Sequence, residues 1–380
     1  MKHSLLFRVR PDGANARWTN VARLVGLAGL LLLVLARFLA GHVELLSQIL
    51  MVPALLLCLG NLVWIYILPS IIMLGLYSLT YSVITLVNFL HIVILQTNNE
   101  ELVYFMTKFL NMRTRIAISL LGLTHRVPHV DVYGSDPKTG IIGLRFKADM
   151  AMPVRWILLR IGILAGAGLL FYVFYLGAVH IPYFGLVLGG LFGLVALILA
   201  LSIVVVWAHN AITGKFLLPL VDLHLRLIRL GLVITAYFTF VTNEISEFKG
   251  CFRSVLDESV PSDLSSGNWI NPNDSRRLDI NLIVLVVLSV TTQSLYLFIW
   301  LGRTSRIMGD DPFTIIAVTF LGALLPLSVI FSRYYRRLEK KTGNEPSWLI
   351  ELLMIIPFLN LVAGTFTIQY ILNLGRKTAQ

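Results

Sequence analysis

Long apolar runs with no charged residue at their centres constrain this chain more than any other feature of its sequence. A helix needs about 20 apolar residues to cross the hydrocarbon core of a bilayer. The runs that reach or approach this length are Val21–Ala40, Ser70–Leu95, Trp156–Val179, Tyr183–Trp207, Ile280–Leu301, Phe313–Phe331 and Trp348–Leu374. An eighth run, Leu45–Leu68, is apolar enough to span but contains Pro53. The pattern predicts an all-α polytopic membrane protein with seven or eight transmembrane helices.

The composition excludes an ordinary soluble domain. Hydrophobic residues make up 57% of the chain and charged residues 13%, whereas about a quarter of a soluble domain is charged. The net charge of +11 comes from cations spread over the ends of the apolar runs, which favours cytoplasmic loops over a nucleic-acid site. Such cations also attract anionic lipid headgroups. The basic residues Met1–Arg17 precede the first run without a convincing cleavage site, so we expect a retained span and a cytoplasmic N-terminus.

Two further segments have polar residues at helical spacing, which predicts amphipathic helices that lie at the membrane interface. They are Asn99–Leu121, with Lys108, Arg113 and Arg115, and Leu217–Phe240, with Asp222, His224, Arg226 and Arg229. If the second segment is interfacial, the five cations between Arg333 and Lys341 face the cytoplasm, as the positive-inside rule favours. If it spans, that cluster lies outside. We therefore prefer the interfacial interpretation.

A short pattern occurs twice. Residues Leu6–Trp18 and Leu144–Trp156 each alternate apolar and polar residues and end in Arg-Trp. The alternation indicates a short β-strand, and a Trp beside an Arg suits the headgroup level at the start of a span. Each pattern is followed by apolar runs, an amphipathic segment and a polar stretch. We interpret the two stretches as degenerate copies of one unit, at residues 1–130 and 131–248.

The second copy resembles a bacterial membrane family described only as domain of unknown function 4389. The resemblance rests on Thr213-Gly214-Lys215, Asp222, Arg229, Ala236-Tyr237, Thr242-Asn243-Glu244 and Phe248. It implies an apolar hairpin that ends in Thr-Gly-Lys and is followed by an Arg-bearing helix. Asn243 replaces the Asp that is usual in the family, and Ser246-Glu247 stand where prolines are expected.

The first copy keeps a smaller subset of the pattern. It has Leu102, Phe105, Arg115, Ala117, Thr124 and Pro128, but Leu95-Gln96-Thr97 stands in place of Thr-Gly-Lys. Residues 249–279 are rich in Ser, Asp, Asn and Pro, which is typical of a polar linker. Residues 280–380 form an unrecognised membrane segment with three predicted helices. By analogy with the second copy, the extra run Leu45–Leu68 is either a re-entrant or extended helix portion within a two-span hairpin, or a third span that inverts the unit.

The recurring cations are the candidate binding residues. Glycine in Thr213-Gly214-Lys215 leaves backbone donors free, and the lysine supplies charge, but the full phosphate-loop spacing is absent. A turn at the start of a helix is the simpler interpretation. The sharper hypothesis is that cations of the two amphipathic segments hold lipid phosphates: Lys215, Arg226, Arg229, Lys108, Arg113 and Arg115.

No catalytic set emerges from the residue pattern. His91, His209 and His224 lack the spacing and companions of a metal site, and Asp310-Asp311 before Pro312 is more simply a helix cap than a cation site. No nucleophile–base arrangement or dinucleotide motif can be assembled. We therefore expect no cofactor, no metal and no enzymatic activity, although an enzyme acting on lipid near Asp222 and Arg229 stays open.

Small residues recur in two consecutive spans, which permits close packing of helix backbones. They are Gly162, Ala165, Gly166, Ala167 and Gly168 in one span and Gly185, Gly189, Gly190 and Gly193 in the next. We expect these spans to pack on each other, the alternative being contact with another membrane protein. The leading hypothesis is a subunit or scaffold of an assembly in the bacterial inner membrane. The rival is a channel or carrier for a neutral or lipid-like solute, lined by Asn88, Asn210 and Asn281.

Overall fold

The computed structural model describes residues 5–9, 11–39, 44–125, 128, 130–133, 142–147, 149–180, 183–242, 254–256, 269–270, 280–292, 295–321, 327–342, 347, 350 and 364–377. The strands are β1 (Leu5–Val9), β2 (Ile142–Lys147) and β3 (Trp269–Ile270). The helices are α1 (Gly13–Leu39), α2 (Glu44–Cys58), α3 (Leu62–Leu95), α4 (Glu100–Leu120), α5 (Val154–His180), α6 (Phe184–Thr213), α7 (Leu218–Phe238), α8 (Leu282–Thr291), α9 (Leu295–Met308), α10 (Pro312–Leu321), α11 (Leu327–Thr342) and α12 (Thr365–Lys377).

The chain divides into two compact units. The first unit comprises Met1–Gly75 and Thr85–Asp274, and the second comprises Leu76–Ile84 and Ser275–Gln380. Both predicted copies, residues 1–130 and 131–248, therefore contribute most of their residues to one unit. The described part of the predicted linker also belongs to the first unit, because β3 adds to its sheet and residues 254–256 contact α7.

The two predicted strand segments pair with each other in a small three-stranded sheet, in which β2 is the central strand. Strands β1 and β2 are antiparallel, with Phe7 opposite Leu144, and β3 pairs with the other edge of β2. Alternate side chains of β1, those of Leu5, Phe7 and Val9, are buried. The period of two in the sequence thus matches a sheet with one covered face.

Helices α1 and α2 pack at close range because glycine removes the side chain at each contact. A Cβ on Gly29 would lie 2.5 Å from the Cys58 nitrogen, and one on Gly60 would lie 2.4 Å from the Ala22 carbonyl oxygen. A 3-10 turn at Leu59–Asn61 then separates α2 from α3. The 15 residues of α2 extend only about 22 Å. The run Leu45–Leu68 is thus divided between two helices and is not one span.

Among the described residues, four helices are long and apolar enough to cross a membrane. The qualifying stretches are Gly13–Phe38, Trp64–Leu95, Arg155–Gly177 and Gly185–Thr213. The prediction of seven or eight spans is only partly matched. The run Ile280–Leu301 is divided between α8, of 10 residues, and α9. In the run Phe313–Phe331, the described residues belong to α10 and α11, and residues 322–326 lie outside the described part of the chain. Most of Trp348–Leu374 lies outside the described residues.

Helix α4 does not have the one-sided exposure that we expected of an interfacial amphipathic helix. Every residue from Leu102 to Met112 is buried, so α4 is an interior helix of the first unit. Helix α7 is more one-sided, with Val221, Leu225 and Leu232 buried and Leu223 and Leu227 exposed.

The second unit contains polar contacts between its elements. Trp300 Nε1 donates to Gln369 Oε1 at 2.8 Å, and Asn373 Nδ2 donates to the Ile280 carbonyl oxygen at 3.1 Å. Asp311 Oδ2 accepts from the Thr314 backbone nitrogen at 2.7 Å, which confirms the predicted helix cap before Pro312. The hydrogen bond from the Thr314 hydroxyl group, together with the one from the Thr314 backbone nitrogen, lowers the pKa of Asp311.

Candidate functional site

Two clusters of polar contacts in the first unit each join three helices, and we call them the first and second junctions. The first junction consists of residues 12–23, at the start of α1, residues 119–123, at the end of α4, and residues 207–214, at the end of α6. The second consists of residues 149–160, at the start of α5, residues 236–242, at the end of α7, and residues 88–98, at the end of α3. Each contains a buried arginine.

At the first junction, α4 ends in a left-handed turn at Gly122, which has a φ of 74°. The Leu123 nitrogen donates to the Ile118 carbonyl oxygen at 3.2 Å, and the Leu123 carbonyl oxygen accepts from Asp12 at 3.1 Å. The carbonyl oxygen of Gly122 accepts from Asn20 Nδ2 at 3.0 Å. The chain leaving α4 is thereby fixed to the first turns of α1.

Arg23 completes this junction from inside α1. Its guanidinium lies 5.4 Å from the ring centroid of Trp64 and 5.6 Å from that of Trp207. Nη1 donates to Asn20 Oδ1 and Nη2 to the Ser119 carbonyl oxygen, both at 2.8 Å. A cation at a helix C-terminus also opposes the negative end of the helix dipole. Arg23, which is only 2% exposed, thus caps α4 from a neighbouring helix.

Asparagine and arginine side chains link α6 to the same junction. Asn210 Nδ2 donates to the Gly13 carbonyl oxygen at 3.0 Å, while Asn210 Oδ1 accepts from Asn20 at 2.9 Å. Arg17 Nε donates to the Ala211 carbonyl oxygen at 2.9 Å. The start of α1 therefore holds the end of α6, which comes from the other half of the unit.

The second junction has the same plan. Helix α7 ends in a left-handed turn at Phe240, with a φ of 64°. The Val241 nitrogen donates to the Ala236 carbonyl oxygen at 3.0 Å, and the Val241 carbonyl oxygen accepts from Asp149 at 3.3 Å. The carbonyl oxygen of Phe240 accepts from Asn98 Nδ2 at 2.8 Å. An asparagine again binds the carbonyl group of the left-handed residue.

Arg160 is the buried arginine of this junction, with 1% exposure. Its guanidinium lies 4.4 Å from the ring of Tyr237 and 4.7 Å from that of Phe240. Nη2 donates to the Thr242 carbonyl oxygen at 2.7 Å. Arg160 therefore binds the chain that leaves α7, as Arg23 binds the end of α4.

Several residues of the two junctions are related by constant differences in residue number. Gly122 and Phe240 differ by 118 in number, as do Leu123 and Val241. Asp12 and Asp149 differ by 137, as do the two arginines. Our sequence analysis missed the arginines because each lies near the end of an apolar run. Their equal distance from the aspartate that ends each strand pattern was the available signal.

Helices α4 and α7 run in opposite directions between the junctions. Helix α4 begins beside Asn98 of the second junction and ends at the first, whereas α7 begins beside Gly214 of the first and ends at the second. Each has 21 residues, or about 30 Å. Arg113 Nη1 reaches Thr235 Oγ1 at 3.5 Å where the helices meet.

Thr213-Gly214-Lys215 forms a turn, as expected, but the turn ends α6 and is not the first turn of α7. Gly214 has a φ of 70°, and its nitrogen donates to the Asn210 carbonyl oxygen at 2.8 Å. The Lys215 nitrogen donates to Thr213 Oγ1 at 3.1 Å. Gln96 occupies the equivalent place at the end of α3, with a φ of 56°.

Asp222 of the family pattern anchors a distant segment. Its Oδ1 accepts from the Val255 nitrogen at 2.9 Å and from Ser254 Oγ at 3.0 Å, while Oδ2 accepts from Arg226 Nε at 2.8 Å. The carboxylate is therefore fully engaged in structural contacts. Of the other pattern residues, Tyr237 and Thr242 both contact Arg160 at the second junction.

The six cations that we proposed to bind lipid phosphate have different environments. Lys108 and Arg229 are buried, with 1% and 2% exposure, and Lys108 lies over the Tyr104 ring. Arg226 pairs with Asp222. Arg113 and Lys215 are exposed and Arg115 is partly buried. Arg113 and Arg115 are on α4, whereas Lys215 lies between α6 and α7.

Histidines contribute to packing contacts. His224 Nε2 lies 3.1 Å from Ser202 Oγ, and His224 Nδ1 lies 2.8 Å from the Leu220 carbonyl oxygen. Because the carbonyl group can only accept, Nδ1 of His224 donates to it. The Ser202 hydroxyl also donates to the Leu199 carbonyl oxygen at 2.7 Å. Among the described residues, no three His, Cys, Asp or Glu side chains converge as metal ligands.

The expectation that α5 and α6 pack through their small residues is wrong. A Cβ added at Gly162, Gly166, Gly168, Gly189, Gly190 or Gly193 would meet no heavy atom within 4 Å. The two helices diverge because α5 begins at the second junction and α6 ends at the first. Their glycine faces are uncovered in the described structure.

Comparisons with protein-family models, with curated proteins and with solved structures found no match to this chain.

Proposed function

We propose that this chain is a non-enzymatic subunit or scaffold of a larger membrane assembly, and that the uncovered glycine faces of α5 and α6 receive transmembrane helices of another subunit. The proposal rests on the observation that these glycine faces are uncovered. Gly162 and Gly166 are four residues apart on α5, as are Gly189 and Gly193 on α6, and this spacing permits close approach of a second helix.

The chain itself illustrates how such a face is filled. The separation in sequence between Arg23 and Gly29 of α1 equals that between Arg160 and Gly166 of α5. At Gly29, the backbone of α2 occupies the space that a side chain would need. The second half has no helix between α5 and α6 that corresponds to α2. An apolar helix with small residues, supplied by a partner, fits the equivalent place.

The polar chemistry of the first unit supports a structural role. Both buried arginines bind helix ends, and Asp222 binds residues 254–255. A channel or carrier is less well supported, because Asn88 and Asn210 belong to different junctions. Each of them is hydrogen-bonded to protein groups of its own junction. A lipid-active enzyme at Asp222 is also less well supported, because its carboxylate is engaged on both oxygens.

We place the protein in the bacterial inner membrane with its N-terminus and both junctions on the cytoplasmic side, as two degenerate copies of one unit related to the family of unknown function 4389. The equal spacing of corresponding junction residues supports the duplication. Anionic headgroups would contact the exposed Arg113 and Lys215. Of the predicted spans, this topology keeps α5, α6 and three spans in residues 280–380, and it includes neither α3 nor the divided run Leu45–Leu68 as a single span.

Cross-linking in native membranes tests the proposal. Gly166→Leu and Gly189→Leu add bulk to the uncovered faces, and Gly75→Leu adds the same bulk to a glycine of α3 that also meets no atom within 4 Å. We expect one defined partner to be cross-linked to the parent chain and to Gly75→Leu, and to be lost from the other two variants. A parent chain that is only monomeric would overturn the proposal, and cross-linking only to itself would identify a second copy as the occupant.

A further inference from the structure

We propose that α3 lies within one leaflet, parallel to the membrane plane, and binds lipid acyl chains along its length instead of crossing the bilayer. Helix α3 is apolar and long enough to span. Its contacts with both junctions, however, fix its direction relative to α4, α5 and α6.

The two ends of α3 lie at different junctions. Near its start, Trp64 stacks on Trp207 with ring centroids 6.0 Å apart and contacts Arg23, both of the first junction. Near its end, Phe89 lies 5.7 Å from Phe240 of the second junction. The segment from Trp64 to Phe89 extends about 37 Å, similar to the length of α4. Helix α3 therefore runs from one junction to the other.

Helices α3 and α4 are antiparallel neighbours along this path. Thr85 Oγ1 lies 3.9 Å from Met106 Sδ, and Asn88 Nδ2 donates to Asn98 Oδ1 at 2.9 Å. Close to the other end, Ser70 Oγ donates to the Pro128 carbonyl oxygen at 2.7 Å, just beyond the end of α4. The direction of α3 in the membrane is thus the direction of α4.

The hairpin of α5 and α6 shows that both junctions are on the same side of the membrane. Helix α5 leaves the second junction and α6 returns to the first, and the two are joined by a short turn near Tyr183. Both contain long uncharged stretches whose side chains are exposed on all sides. If both cross the bilayer, the start of α5 and the end of α6 share one face. A helix between two points on one face lies along the membrane.

The opposite arrangement would require polar helices to cross the bilayer. If α3 spanned, the junctions would lie on opposite faces, and α4 and α7 would cross with it. Helix α7 would then carry Asp222, Arg226 and Arg229 through hydrocarbon, which is costly and rare. The apolar α5–α6 hairpin would meanwhile lie along its surface. The distribution of charge favours α3 in one leaflet.

The side chains of α3 are arranged for this position. One face, which includes Ser70, Tyr77 and Asn88, is buried against protein. An opposite row is exposed at intervals of seven residues, with about half of each side chain accessible: Ile72, Leu79, Leu86 and Val93. Residues seven apart share a helical face. This row would contact the acyl chains of a single leaflet.

Spin-label depth measurements test the inference directly. Each position of the row would be changed to cysteine in a Cys58→Ala, Cys251→Ser background, labelled, and reconstituted in vesicles of phosphatidylcholine and phosphatidylglycerol. Depth is read from the relative accessibility of the nitroxide to oxygen and to a water-soluble nickel complex. The labelled variants are Ile72→Cys, Leu79→Cys, Leu86→Cys and Val93→Cys.

We expect the four labels to report the same depth within a few ångströms. Val187→Cys, Leu194→Cys and Leu201→Cys, exposed at the same spacing on α6, are the control, and their depths should change by about 10 Å per step. Depths on α3 that change by about 10 Å per step and pass through the bilayer centre would overturn the inference. The measurement needs no partner, so its failure is distinct from failure of the proposed subunit role.

Discussion

His91 and His209 make the same contact at the ends of different helices. Nδ1 of His91 lies 2.9 Å from the carbonyl oxygen of Thr97, and Nδ1 of His209 lies 2.9 Å from that of Lys215. Each contact therefore spans the residue with left-handed backbone angles at the end of the helix, which is Gln96 after α3 and Gly214 after α6. Equal geometry at residues 118 apart supports our proposal that the chain contains two copies of one unit.

We expect replacement of either buried arginine to destabilise the first unit strongly. Arg23→Met and Arg160→Met remove a cation that binds a carbonyl oxygen and stacks on aromatic rings, leaving that oxygen without its donor. The loss should be about 3 kcal/mol, measured as a lower midpoint of thermal unfolding in detergent. Arg155→Met is the control, because Arg155 is exposed and contacts only the ring of Trp156. Equal midpoints for all three variants would contradict the capping role.

Two glycines with similar backbone angles should differ in their tolerance of a methyl group. Gly122 and Gly214 have φ values of 74° and 70°, so alanine is strained at both by about 1 kcal/mol. A Cβ at Gly122 would also lie 2.2 Å from Asn20 Oδ1, whereas at Gly214 the nearest atom is 3.9 Å away. Gly122→Ala should lower the unfolding midpoint much more than Gly214→Ala. Similar losses would show that the first junction is looser than described.

Glycine should stabilise the end of α3. Gln96 is exposed and has a φ of 56°, a conformation that glycine adopts without strain. Its hydrogen bonds to Ile92 and from Met152 are made by backbone atoms, so Gln96→Gly keeps them. We expect a gain of about 0.5–1 kcal/mol, seen as a higher unfolding midpoint. Gln96→Ala serves as the control and should give no gain.

The second unit should lose stability at high pH. Burial, together with the charge of Asp310, raises the pKa of Tyr334 to about 12. In the unfolded chain the pKa is about 10, so the stabilisation is complete below pH 10 and is lost as the pH rises towards 12. A pH series of unfolding midpoints should show this loss in the parent chain and a smaller one in Tyr334→Phe. Identical pH profiles would contradict the shift.

The sequence predicted the elements of the first unit better than their directions. Unbroken apolar residues identified α5 and α6, and period-two alternation identified β1 and β2. For α3, the apolarity predicts a span, and the helix is long and apolar enough to cross a membrane. Composition does not show how such a helix is oriented, so the orientation that we propose for α3 needed other observations. Its direction depends on Trp64 and Phe89, whose partners are distant in the chain.

The charged residues were harder to interpret than the apolar ones. Polar residues at helical spacing in α4 suggested a surface helix, yet Lys108 and Asn111 are buried, because α4 is covered by other elements that its own sequence does not specify. Arg23 and Arg160 are the cations that bind helix ends at the two junctions. In the sequence, they were interpreted only as parts of apolar runs. A pattern within one segment cannot show that an arginine caps a helix elsewhere.

The pairing of Phe7 with Leu144 also sets an order for biosynthesis. The N-terminal strand leaves the ribosome long before its partner, and at about 5–20 residues per second the partner follows only after roughly ten seconds or more. During that interval α1 can enter the membrane while the strand has no neighbour. Assembly of the first unit must therefore finish after translation of its second half, and a chain truncated before residue 142 should be recognised as incomplete by quality-control proteases.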